Sequence, residues 1–125
     1  MGWMPRPSNS LSVIRRLAAF AALVVGIIIA HLSLVPAGDV PAPQISDKIR
    51  HFAAYAGLAA PLALALHPKR WLAAAIAATA FGVALEFAQA MGEAGREGSA
   101  LDALANMLGA FLGAGLIRIS AGVRG

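Results

Sequence analysis

Three short sets of polar residues interrupt long apolar stretches of this chain, and their spacing is helical. Asp47, His51 and Tyr55 stand four apart, so on an α-helix they form one stripe. Glu86 and Gln89 are three apart, and Asp102 and Asn106 are four apart, with Ser99 one turn earlier and Arg96 just before it. His51 and Glu86 are the residues able to act as an acid/base pair, and His51 can equally make an interhelical hydrogen bond to Glu86 or Asp102. Arg96 has the planar fork that clamps a phosphate or carboxylate, or else pairs with Asp102 or Glu86. Lys48 sits where it can snorkel to lipid headgroups. Gln89, Asn106 and Tyr55 read as binding residues or, more simply, as polar glue between helices. A metal site of His51, Glu86 and Asp102 lacks a close ligand pair such as His-Glu-x-x-His, so neither a metal nor a cofactor is expected. Ser99 has no nucleophile-elbow context, and the chain has no cysteine, which excludes thiolate metal sites and cysteine nucleophiles.

Such groups need a scaffold, and the composition states which kind. The hydrophobic fraction is 59% and only 13% of residues are charged, with a mean hydropathy of +0.74. A soluble domain is about half apolar, and here the apolar residues also come in long blocks. The expected fold is an all-α membrane protein: one domain over residues 13–119 forming an up-down bundle of four transmembrane helices. Their expected bounds are about 13–35, 47–66, 71–91 and 100–119, each close to the ~20 residues that span a hydrocarbon core of about 30 Å. Residues 1–12 read as a disordered cytoplasmic leader and 120–125 as a short cytoplasmic tail.

The connections support that division. Pro36, Pro41 and Pro43 deny a helix between the first two spans, and Ser46 offers an N-cap ahead of Asp47. Pro61 lies inside the second span and is expected to kink it. His67-Pro68-Lys69-Arg70 makes a tight basic turn, and Gly92 to Gly98 makes a glycine-rich loop. A signal-peptide reading of the first block, cleaved near Val35-Pro36-Ala37-Gly38, is disfavoured because the block exceeds the usual ~7–15-residue core. Gly109 and Gly113 give the fourth span a small-xxx-small face, and Gly82 lies on the third.

With four crossings, Arg6, Arg15, Arg16, Lys69, Arg70, Arg118 and Arg124 fall on one side. Lys48, Arg50 and Arg96 fall on the other, with all six acidic residues. The sides therefore carry +7 and −3, which agrees with the net +4 of the chain. The positive-inside rule makes the first side cytoplasmic and holds both termini there. The polar sets then open outward, with Glu86 roughly 9 Å below the outer end of its helix. No basic stripe with interleaved aromatics is present, so no nucleic-acid partner is expected.

The ordered set Asp47-Lys48-x-x-His51-Phe52-x-x-Tyr55, Glu86-x-x-Gln89 and Arg96-x-x-Ser99-x-x-Asp102-x-x-x-Asn106-x-x-Gly109 resembles the signature of VanZ-like membrane proteins. Each block alone is weak; their order makes the set more specific. It covers about half the chain, roughly Asp47 to Gly113. The resemblance implies a multi-pass protein of the bacterial inner membrane, with a link to the cell envelope or to glycopeptide tolerance. It implies no reaction. Two functions follow as expectations. One is binding of an envelope lipid, a lipid-linked precursor or a glycopeptide-type molecule in the outer pocket. The other is hydrolysis or group transfer on such a molecule by His51 and Glu86. Membrane lipids are the expected partners in either case.

Overall fold

The computed structural model describes residues 9–35, 47–91 and 100–124, all helix except for the turn at 67–70 and the bend at Val35. The helices are α1 (Asn9–Leu34), α2 (Asp47–Leu66), α3 (Trp71–Met91) and α4 (Ala100–Arg124), with a 3₁₀ turn over Pro68–Arg70 before α3. All four are long and apolar enough to cross a membrane, and no strand occurs among the described residues. The proline-rich connection, the Ser46 cap and the Gly92–Gly98 loop lie outside the described residues, as do Arg96, Ser99 and most of the leader.

Two helices are longer than their sequence pattern indicated. Helix α1 begins at Asn9, because nothing after Pro7 breaks a helix. Helix α4 runs through the expected tail to Arg124. A single glycine there, Gly122, costs about 1 kcal/mol but does not end a helix. Helix α2 continues unbroken through Pro61.

Packing follows side-chain size. Ala59, Ala63, Ala74, Ala75, Ala110 and Ala114 have no exposed surface, whereas Leu17, Phe20, Phe87 and Ile119 are each more than 60% exposed. Small residues inside and large aliphatics outside is the distribution that lipid favours, because close backbone approach rather than hydrophobic burial drives helix association there.

The closest pairing is between α2 and α4, which run in the same direction with their first turns side by side. Glycines on α4 make this possible. A Cβ at Gly109 would lie 2.9 Å from the carbonyl carbon of Phe52, and one at Gly113 would lie 2.9 Å from that of Ala56. Phe52 and Ala56 are also four apart, so two successive turns interlock. Helix α3 packs on both, with Trp71 meeting Phe111 edge-on at 6.4 Å. Helix α1 leans on α2 and only lightly on α3. It leaves an apolar cleft of about 640 Å³ between Gly26, Leu58 and Phe81.

Candidate functional site

The shared direction of α2 and α4 brings Asp47, Lys48, Arg50 and His51 against Asp102 and Asn106. Asp102 and Asn106 are buried, with 6% and 2% exposure, and His51 is half-buried. His51 Nδ1 lies 2.8 Å from Asn106 Oδ1. Its Nε2 lies 3.6 Å from Asp47 Oδ2 and 3.6 Å from Asp102 Oδ2. The Lys48 ammonium pairs with Asp102 Oδ1, and Arg50 Nη2 donates to Asp47 Oδ1 at 3.0 Å. Asp47 also stands in the first turn of α2, where the helix dipole favours an anion.

Below this cluster the bundle closes. Tyr55, 2% exposed, stands one turn beneath His51 on the same stripe. A Cβ at Gly82 would fall 2.9 Å from the Tyr55 ring and 3.1 Å from Asn106 Nδ2. Gly82 is therefore the space into which the tyrosine and the amide fit. Phe81 packs against Tyr55 with ring centroids 6.4 Å apart. The result is a polar layer resting on an aromatic and alanine floor.

The structure redistributes several of the residues that sequence spacing grouped. Lys48 joins Asp102 instead of serving only the headgroup region. Glu86 is half-buried one turn above Gly82, and the ring nitrogens of His51 face Asn106, Asp47 and Asp102. Gln89 turns to another helix: its Nε2 donates at 2.8 Å to the carbonyl of Ser33. That carbonyl lies in the last turn of α1, where no later helical N–H can reach it. His31 is exposed and stays out of the cluster. His67 shapes the turn at the opposite end by accepting the Lys69 N–H on Nδ1 at 3.0 Å. Arg50 was missed by sequence reasoning, although its position three residues after Asp47 was the signal that could have found it.

Chemically, the cluster offers one imidazole, two carboxylates, two cations and an amide within a single layer. It can hold a cation among its oxygens or receive a polar headgroup at its open rim. The VanZ/LLP1 family model matches residues 6–121 of the chain. No curated protein and no solved structure matches it. The chain belongs to the VanZ/LLP1 family.

Proposed function

We propose that this VanZ-family, multi-pass membrane protein binds an envelope molecule through the polar layer at the Asp47 end of its bundle. A membrane lipid, a lipid-linked precursor and a glycopeptide-type molecule all present the anionic and hydrogen-bonding groups that such a layer would take. The observation that carries this reading is the convergence of Asp47, Lys48, His51, Asp102 and Asn106 on one level of an otherwise alanine-packed bundle. An ionisable residue within a span costs about 2.5–3.5 kcal/mol or more, so five hydrogen-bonding groups gathered there call for a use. The division of charge, +7 against −3, supports a cytoplasmic Arg15 end and an outward-facing Asp47 end in the bacterial inner membrane. A role in envelope function or antibiotic tolerance is what the likeness to the VanZ family implies for such a site.

The test separates site from scaffold. Asp102→Asn and His51→Ala chains are produced in the native membrane, and protein level, co-purified lipid and tolerance to envelope stress are each measured. Normal abundance with loss of retained lipid and of tolerance supports the reading. Retention of both by the variants rejects it, and so does a wild-type protein that carries no defined lipid or precursor. A reporter fused after Gly125 is expected to report from the cytoplasm; an external signal would reverse the assigned direction.

A further inference from the structure

His51 sets the chemistry of the cluster. The amide oxygen of Asn106 can only accept, so Nδ1, at 2.8 Å, must donate its proton to it. Nε2 then carries either a second proton or a lone pair. Two carboxylate oxygens face it, Asp47 Oδ2 and Asp102 Oδ2, each at 3.6 Å. Nε2 and the two carboxylate oxygens are thus arranged around a common point.

The two carboxylates are aimed alike. Asp47 directs Oδ1 to Arg50 and Asp102 directs Oδ1 to Lys48, while Oδ2 of each faces His51 Nε2. A basic side chain therefore holds the outer oxygen of each carboxylate, and Asn106 holds the outer nitrogen of the imidazole. Outer partners of this kind orient the ligands of metal sites and set the histidine tautomer. One ligand atom from each of Asp47, His51 and Asp102 lies within 4.8 Å of the others. Bonds of about 2.0–2.1 Å at tetrahedral or wider angles place ligand atoms roughly 3.3–3.6 Å apart, which the two histidine–carboxylate spacings already approach.

We propose that Asp47, His51 and Asp102 bind one divalent cation of the Zn²⁺ class. An imidazole beside carboxylates suits Zn²⁺, whereas an all-oxygen set suits Mg²⁺ or Ca²⁺. Three protein ligands leave a fourth position open, for water or for an oxygen of a headgroup. The inference rests on the binding-site reading in taking this cluster as the ligand-holding part of the bundle. It replaces the His51–Glu86–Asp102 combination considered from sequence: the close ligand pair is Asp47 and His51, four apart on α2.

The metal alone is the probe. The full chain, purified in detergent and stripped with a chelator, is titrated with Zn²⁺ by calorimetry and with Co²⁺ by visible absorption. One equivalent per chain is expected, with Co²⁺ bands of nitrogen and oxygen coordination. Asp47 is 44% exposed, so Asp47→Asn should fold and yet lose affinity by at least the 10–100-fold that removal of an outer partner costs. Asn106→Ala should weaken binding by about 10–100-fold. Circular dichroism confirms that each variant is helical, and Asp47→Asn decides the matter if Asn106→Ala is not. No saturable binding by folded wild-type protein overturns the proposal, as does unchanged affinity in Asp47→Asn and His51→Gln. Metal binding without retained lipid would keep the metal site and reject the lipid reading. Retained lipid without metal binding would do the reverse.

Discussion

At the Arg15 end of the bundle, basic side chains bond to backbone; at the Asp47 end, charged side chains bond to one another. Arg15 donates through Nε and Nη2 to the carbonyls of Ala65 and Leu66, at 3.1 and 3.0 Å. These carbonyls belong to the last turn of α2, which lacks helical donors and carries the negative end of the helix dipole. Any well-placed donor could do that work. At the other end Lys48 meets Asp102, Arg50 meets Asp47, and His51 lies among Asp47, Asp102 and Asn106. Replacing a group there changes what its partners can do. One end completes helices; the other is constructed around an imidazole.

That contrast requires the Asp47 end to depend on the α2–α4 seam, and the largest expected effect tests this. Gly109 lies one turn below Asn106, and any Cβ there collides with the Phe52 backbone, which cannot swing aside. Gly109→Val should cost about 3 kcal/mol or more, the upper range for overpacking. The measurement is thermal loss of helicity in detergent together with abundance in the membrane. A variant of near wild-type stability would mean that the two helices are not held this closely.

Next in size is Asn106→Leu, which keeps the branched outline of the side chain but removes the acceptor for His51 Nδ1. An unsatisfied buried donor costs about 1–3 kcal/mol. A loss within that range, read from the same melting curves, ties the stability of the polar layer to one amide. If stability is unchanged, the layer is looser than its geometry indicates.

The unequal legibility of these features in the sequence has a physical cause. Four spans were readable because lipid requires about 20 apolar residues at a stretch. The stripe of Asp47, His51 and Tyr55 was readable because helical spacing aligns residues on their own helix. What spacing does not give is how each helix is turned about its axis toward its neighbours. Gln89 and Glu86 share a face by count, yet Gln89 reaches Ser33 on α1 while Glu86 stands above Gly82. Short connections point to antiparallel neighbours, whereas the pairing that builds the site is the parallel one of α2 and α4. Lys48–Asp102 and His51–Asn106 both cross that seam, so no local pattern announced them.

Gln89 supplies a third comparison at the same end, because its bond goes to backbone just as those of Arg15 do. Gln89→Leu would leave the Ser33 carbonyl without its donor. Interhelical hydrogen bonds in membranes average about 0.6 kcal/mol, with a maximum near 1.7. A loss in that range, with metal binding intact, is expected. Lost metal binding would instead place Gln89 within the cluster and blur the contrast between backbone and side-chain partners.

The smallest effect belongs to Arg15→Gln. The side chain is exposed, and a cation at a helix C-terminus typically contributes about 0.3–1 kcal/mol. Glutamine keeps one donor for the two carbonyls, and Arg16 remains beside it to hold the charge of that end. The melting curve should shift less than for Gln89→Leu, and Zn²⁺ affinity should not move at all, since this end and the cluster lie at opposite ends of α2. A shift as large as that of Asn106→Leu would mean that Arg15 carries more than two helix-end carbonyls. A change in Zn²⁺ affinity would go further, showing that the two ends communicate through α2 and that the backbone-bonded end helps to set the geometry of His51.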